Sequence, residues 1–319
     1  MRIASLLPSV TEILFAIGAG DRIVGVTHEC DYPAEAHALP ALTASLLPPA
    51  LQTHLSAAAT GPAIAQRAAQ IDRHVRASVH GGSSLYALDA TLLAELAPDL
   101  VITQELCAVC AVSYEIVARA AKQIGGAGTR PTVISLEPSS LEDVYANIVT
   151  LGERAEAVPG ARQLVARLRA REAALRARSR ARPHPRTLVL EWTDPPMSGG
   201  HWTPGLIECA GGEPVLAHPG ANSTQLTWDA IAAADPDVAI VAPCGYDLSH
   251  ARIAAHEMAS QPAWKALRAV RGGRAYVMDG NAYVNRPGPR LLDSAELFAS
   301  AIDDMLDRPD AIERIVAGT

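Results

Sequence analysis

The sequence predicts an α/β protein of two Rossmann-like lobes, with mostly parallel sheets, joined by a single long helix. Short apolar runs alternate with helix-like stretches before and after the middle of the chain. From Ser140 to about Arg182 the pattern is helical and contains no strand signal. Apolar strands separated by helices are typical of parallel sheets covered on both faces. We therefore expect an N-terminal lobe at 1–139, a helical linker at 140–185 and a C-terminal lobe at 186–319.

The first lobe begins with a strand, a turn and a helix within residues 1–18, and Ser9 or Thr11 is a candidate helix cap. Further apolar runs predict strands at 23–26, 99–103 and 132–136, and helical patterns occupy 64–79, 88–96 and 114–124. The region 43–84 is less regular and is interpreted as an insertion in this lobe.

The linker is rich in arginine over 162–182, with a helix interruption predicted at Pro159-Gly160. An arginine run is compatible with nucleic-acid binding, but a solvated helix face is the favoured interpretation. Apolar runs that predict strands resume in the second lobe at 187–190, 238–241 and 275–278.

Composition narrows the function classes. The chain has 319 residues, is 49% hydrophobic and carries a formal net charge of −7, which disfavours a nucleic-acid partner. It contains no apolar run of about eighteen residues, so no membrane insertion is expected. Its five cysteines are an odd number without disulfide-like spacing. With no export signal recognisable in the opening residues, this predicts a cytoplasmic protein.

Short segments of the chain resemble one known family. The matching segments, in their expected order, are Leu7–Glu12, Gly25–Pro33, Leu96–Ile102, Asp194–Gly199 and Arg286–Arg290. In these segments the chain is similar to the cobalamin and ferric-siderophore binding proteins of ABC importers, and most of all to the cobalamin-binding branch. The resemblance implies a non-catalytic protein that clamps a cobalamin-like corrinoid or a metal-chelate ligand between two lobes. For an exported form it implies ABC transporter components as partners.

The resemblance also bears on single residues. Tyr32 stands where cobalamin binders place a ring-contacting tyrosine, and Tyr283 lies near another aromatic contact. Met197 stands where such a binder has an aromatic residue, although methionine is adaptable enough to line an apolar wall.

Ligands of open parallel sheets bind beyond the carboxyl ends of the strands, so the loops there supply the candidate site. The candidate ligand-binding residues in these loops are Pro8, Ser9, His28, Cys30, Tyr32, Gln104, Cys107, Cys110, Trp192, Met197, Trp202, Cys244, Tyr246, Tyr283 and Arg286. The chain is only 4% aromatic, yet several of these residues are tyrosine or tryptophan. Aromatic faces suit a large flat macrocycle, and the alternative is that they fill the protein core.

The cysteine pair Cys107 and Cys110 forms a CxxC motif with three interpretations. The thiols bind a metal or the ligand, form a redox disulfide, or pack as small apolar side chains. Cys30 is the further candidate for a metal site with this pair. His28 is a candidate axial or metal ligand, and its alternative is a hydrogen bond to the backbone.

An enzyme is the alternative function. No GxSxG motif, phosphate-binding loop or dinucleotide fingerprint stands in a suitable context. What remains is a cytoplasmic corrinoid- or metal-processing enzyme that uses the thiols of Cys107 and Cys110. We favour binding, because a binding protein requires no activated thiolate.

Overall fold

The computed structural model describes residues 1–48, 70–71, 73–74, 85–104, 114–123, 130–180 and 182–315. These residues belong to two compact units. The first unit contains the described residues up to Glu137 together with Tyr145–Ala166, and the second contains Pro138–Val144 and the residues from Arg167 onward.

The first unit is built on a parallel sheet. Its strands are β1 (Ile3–Ser5), β2 (Ile23–Val26), β3 (Thr43–Ser45), β4 (Tyr86–Leu88), β5 (Leu100–Thr103) and β6 (Thr132–Ser135). Four of them form a parallel sheet in the order β2-β1-β5-β6, while β3 and β4 form a separate antiparallel pair. The central strands β1 and β5 are buried along their whole length, as expected for a sheet covered on both faces.

The helices described up to residue 180 are α1 (Pro8–Ala16), α2 (Ala90–Leu96), α3 (Tyr114–Gln123), α4 (Leu141–Arg154) and α5 (Val158–Ser179). Short 3₁₀ turns occupy Gly20–Arg22 and Ala34–Ala38. The Asp89 side chain caps α2 by accepting a hydrogen bond of 2.9 Å from the backbone N–H of Leu92.

Two local predictions in this region were wrong. The α1 helix begins at Pro8, so Ser9 and Thr11 lie inside the helix and do not cap it. The interruption predicted at Pro159 and Gly160 lies instead at 155–157, and these two residues stand in the first turn of α5. Proline suits the first turn of a helix, because the backbone N–H that it lacks has no partner there anyway. The predicted helix at 64–79 lies outside the described residues, apart from four helical positions at 70–71 and 73–74.

The second unit is built on a mixed sheet. Its strands are β7 (Arg186–Thr193), β8 (Pro196–Ser198), β9 (Glu213–Pro214), β10 (Val238–Val241), β11 (Ala275–Met278) and β12 (Ile312–Arg314). The sheet order is β12-β11-β10-β7-β8, with β9 beside β7. Strands β7, β9, β10 and β11 are parallel, and only the edge strands β8 and β12 run antiparallel. The predicted α/β class with mostly parallel sheets is therefore confirmed.

The second unit packs its helices around this sheet. They are α6 (Thr203–Ala210), α7 (Trp228–Ala234), α8 (Leu248–Met258), α9 (Pro262–Ala266), α10 (Arg268–Arg271) and α11 (Leu291–Ile302), with a π-helical turn at Gly280–Val284. Trp264 is fully buried in a core that includes Leu188 and Val241 of the sheet. No helix in the described ranges combines the length and apolar character needed to cross a bilayer.

Arginines of α5 pair with acidic side chains. Arg171 donates to the Glu296 carboxylate at 2.9 and 2.7 Å and also to Asp293, and these acceptors raise the pKa of its guanidinium. Arg182, just beyond α5, donates to Asp303 at 2.5 Å. The arginine run therefore includes side chains that are neutralised within the protein itself, which fits a solvated helix face better than a nucleic-acid surface.

Candidate functional site

The carboxyl ends of β7 and β10 bring together two aromatic residues of the second unit. The rings of Trp192, at the end of β7, and Tyr246, beyond β10, lie 5.4 Å apart in an edge-to-face arrangement. Met197 of β8 is the register partner of Trp192. All three side chains are partly exposed. This edge thus offers an apolar, aromatic surface that a flat ligand can contact.

Glu191, which carries a carboxyl group, directly precedes Trp192 in the sequence. The Glu191 carboxyl interacts with the Ser223 hydroxyl and the backbone N–H of Gly200, and this N–H also donates to Ser223 Oγ at 3.2 Å. Burial raises the pKa of Glu191 to about 7, against the smaller lowering effect of these two donors. A Cβ on Gly200 would lie 2.3 Å from the backbone nitrogen of Ser223, so glycine is what permits this close approach. The edge therefore carries a carboxyl that exchanges its proton near neutral pH.

His201 and Trp202 follow β8. Their rings lie 5.6 Å apart, and Trp202 Nε1 donates to the carbonyl of Val284 at 2.8 Å, which ties this segment to the turn after β11. Desolvation lowers the pKa of His201, so its imidazole is neutral at pH 7. His201 Nδ1 is buried and has no hydrogen-bond partner among the described residues.

The turn after β11 holds the remaining candidates of this unit. Arg286 is buried and donates to the side-chain oxygen of Asn281 at 3.0 Å, while the backbone N–H of Asn281 donates to the carbonyl of Tyr246 at 3.0 Å. The Tyr283 hydroxyl accepts a hydrogen bond of 2.8 Å from Arg308. The loops after β10 and β11 are therefore in direct contact.

In the first unit, His28 stands just beyond β2. Its backbone N–H donates to Thr43 Oγ1 at 3.1 Å, and its Nδ1 lies 2.7 Å from the same oxygen. The imidazole packs against Tyr86 with ring centroids 5.5 Å apart, and Tyr86 donates to Glu29 at 2.9 Å. Desolvation lowers the pKa of His28, and the Glu29 carboxylate opposes this effect. A hydrogen bond from the His28 ring to the backbone was the alternative to metal binding. The ring nitrogen Nδ1 instead contacts the side-chain hydroxyl of Thr43.

Cys30 lies deeper in the same unit. Its thiol is buried, and Sγ lies 3.1 Å from Thr11 Oγ1, which in turn lies 2.8 Å from Ser5 Oγ. These contacts hold the loop after β2 against the start of α1. They describe a packed and hydrogen-bonded thiol, and its predicted role as a metal ligand stays a prediction.

The other candidates of the first unit differ in exposure. Pro8 and Ser9 form the first turn of α1, where Pro8 is partly exposed and Ser9 is buried. Tyr32 is 49% exposed, and Gln104, directly after β5, is buried. Each of them follows a strand, as predicted.

The CxxC pair, Cys107 and Cys110, lies outside the described residues. Cys244 is described and exposed beyond β10, where its backbone N–H donates to the carbonyl of Glu191 at 2.9 Å. Within the described ranges, no group of three or more His, Cys, Asp and Glu side chains is arranged to hold a metal ion.

Sequence reasoning missed some residues of these edges. Glu191 had a signal, because a carboxyl inside an otherwise apolar strand and next to a tryptophan is unusual. Arg290 stood in the matching segment Arg286–Arg290 but was not selected. Thr43 and Arg308 had no signal, since each comes from a segment distant in sequence from its partner.

Comparisons with known proteins agree with this architecture. A family model described as "Periplasmic binding protein" matches residues 3–282. An uncharacterized ABC transporter substrate-binding lipoprotein of Bacillus subtilis (strain 168), YvrC, is 25% identical over 309 residues, which cover 94% of this chain and 79% of the relative.

Solved structures share the fold. The periplasmic vitamin B12 binding protein BtuF of Vibrio cholerae matches with a TM-score of 0.64 and 20% identity, covering 95% of this chain and 97% of that one. A periplasmic heme-binding protein from Pseudomonas aeruginosa matches with a TM-score of 0.68 and 22% identity, covering 100% and 99%.

Proposed function

Since the chain belongs to the periplasmic binding protein family, by a match that spans residues 3–282, we propose that it is a non-catalytic ligand-binding protein of the ABC-importer type. Its ligand is a flat, metal-bearing macrocycle, either a cobalamin-like corrinoid or heme. The observation that carries this proposal is the aromatic edge formed by Trp192 and Tyr246 at the carboxyl ends of β7 and β10.

Several features support a macrocycle as the ligand. Aromatic rings that are partly exposed at a strand end give large contact areas to a flat partner at low entropic cost. Met197 beside Trp192 adds an adaptable apolar contact. The relatives that share the fold include a vitamin B12 binding protein and a heme-binding protein, whose ligands are both of this class.

His28 is the residue proposed to reach the metal. When its Nδ1 donates to Thr43 Oγ1, the other ring nitrogen carries the lone pair that a metal binds. The lowered pKa of His28 keeps the imidazole neutral, which ligation requires. Thr43 would then orient the ring.

The partner is proposed to be an ABC transporter, since the Bacillus subtilis relative is an ABC transporter substrate-binding lipoprotein by name. The cytoplasmic location predicted from the sequence would instead make the protein an intracellular carrier of the same ligand. Fractionation of the native organism, with the protein followed by immunoblotting, decides between the two roles.

The proposal predicts saturable binding of a macrocycle by the purified protein. Titration with hemin and with hydroxocobalamin, followed by visible absorption, is expected to give one-to-one binding of one of them with a shifted band.

Trp192→Leu is expected to weaken binding about tenfold, because an aromatic anchor contributes about 1.4 kcal/mol or more. His28→Ala is expected to abolish the band shift while leaving part of the affinity.

The controls come from the same units. Trp228→Leu, at the start of α7, and His37→Ala, an exposed histidine of the Ala34–Ala38 turn, are expected to bind like the wild type. No saturation with either ligand overturns the proposed function. If neither Trp192→Leu nor His28→Ala changes binding, the proposed function stands but the proposed binding site is wrong.

A further inference from the structure

Three chain segments deliver one aromatic ring and two arginines to the carboxyl end of β11. Tyr283 lies in the π-helical turn Gly280–Val284, two residues beyond the strand, and Arg290 directly precedes α11. Arg308 precedes β12, which runs antiparallel to β11, so its segment lies at the same end of the sheet. The backbone N–H of Asp279 donates to the carbonyl of Ala311 at 3.0 Å and closes this arrangement.

The ring lies near both guanidinium groups. The guanidinium carbons of Arg290 and Arg308 are each 5.8 Å from the centroid of the Tyr283 ring, within the usual cation–π range of about 6 Å. Arg308 also donates to the Tyr283 hydroxyl at 2.8 Å. Its contacts with Asp310 are longer, at 3.3 Å, and its side chain is 43% exposed. A guanidinium held in this way is oriented and remains reachable from solvent.

Arginine side chains are concentrated at this place, although the chain as a whole carries −7. Arg286 and Arg290 both act on the carboxyl of Asp279, and Arg308 acts on that of Asp310. Burial raises the pKa of Asp279, and the Asp247 carboxylate adds to this effect, while the two arginines oppose it. The carboxyl groups near the three arginines thus include those of Asp247, Asp279 and Asp310, of which Asp310 is mostly exposed.

We propose that Tyr283, Arg290 and Arg308 form a subsite that binds a carboxylate group on the rim of the ligand. Guanidinium groups match carboxylates in shape and charge, and an aromatic ring beside them supports the apolar edge of a macrocycle. The inference rests on the proposed function and narrows its ligand class. It favours a porphyrin with propionate side chains over a corrinoid, whose rim carries neutral amides.

The test compares hemin with hemin dimethyl ester, in which the carboxylates are capped and the flat ring is kept. The wild type is expected to bind hemin about tenfold more tightly than the ester, because one charge-assisted contact is lost. Arg308→Gln and Arg290→Gln are expected to bind the two compounds with nearly equal affinity. Arg252→Gln, which removes an exposed ion pair with Glu313 in the same unit, keeps the preference of the wild type.

The comparison on the wild type needs no substitution, so a variant that folds poorly does not decide the outcome. Equal affinity of the wild type for hemin and its ester overturns the subsite. Arginine variants that retain the full preference, with thermal unfolding like the wild type, overturn it as well. Binding of hydroxocobalamin without binding of hemin refutes the carboxylate subsite but leaves the proposed function standing. Binding of neither ligand overturns both.

Discussion

Gly160→Ala is expected to destabilise the first unit by about 1–3 kcal/mol. Gly160 lies in the first turn of α5, and a Cβ there would stand 2.1 Å from the carbonyl oxygen of Ile17 and 2.8 Å from its carbonyl carbon. Both obstacles are backbone atoms, so a side-chain rotation cannot relieve the overlap, and the contact between α5 and the end of α1 must open. The measurement is urea unfolding followed by far-UV circular dichroism.

Gly205 provides the matched control. It follows a proline at the third position of α6, as Gly160 does in α5, but no atom lies within 4 Å of the place where its Cβ would stand. Gly205→Ala is expected to leave stability unchanged or to raise it by up to about 1 kcal/mol, since alanine favours the helix. If the two substitutions have similar effects, the close approach of Gly160 to Ile17 is not what makes glycine necessary there.

Glu191 is expected to make the stability of the second unit depend on pH. Burial raises the pKa of this carboxyl from 4.5 to about 7 in the folded protein. The folded state therefore holds a proton that the unfolded state releases. The contribution of protonated Glu191 to the free energy of unfolding is fully present below about pH 4.5 and is lost as the pH rises through about 7. Its size is roughly 3 kcal/mol, because one pKa unit corresponds to about 1.4 kcal/mol.

The measurement compares the wild type with Glu191→Gln, which resembles the protonated acid at every pH. The stability of the wild type relative to this variant is expected to fall between about pH 4.5 and 7 and to stay constant above that range. Glu208→Gln, at an exposed position of α6, serves as the matched carboxyl-to-amide control. A constant difference between the wild type and Glu191→Gln across this range contradicts the raised pKa.

Much of the fold was predictable because its signals are local. The runs Val238–Val241 and Ala275–Met278 are strands with the predicted ends, since a short run of four apolar residues forms a strand buried on both faces. The start of α1 was predicted wrongly, because polar residues that resemble caps follow a proline that itself suits the first turn.

The candidate site was predictable only in outline. The rule that ligands bind beyond strand ends selected the segments that hold Trp192, Tyr246 and Tyr283. The loop predicted at Trp192 was wrong, because β7 continues to Thr193 and β8, which contains Met197, pairs with it. It did not say which of their side chains meet, because contacts across a parallel sheet join residues far apart in sequence. Thr43 reaches His28 because the segment before β3 pairs with the end of β2, where Val26 bridges Ala41, and no local pattern in the sequence predicts this pairing.

The order of the main strands and helices, the α/β class and the resemblance to a family of binding proteins follow from the sequence alone, because apolar periodicity and proline stops act over a few residues. The environment of each polar group was decided by tertiary packing. Glu191 meets Ser223 and Tyr283 meets Arg308 only because sheet order and strand direction bring separate segments to one edge. Burial favours the protonated form of the Glu191 carboxyl, and the hydrogen bond to Tyr283 orients the Arg308 guanidinium. Both effects depend on neighbours that no local pattern specifies.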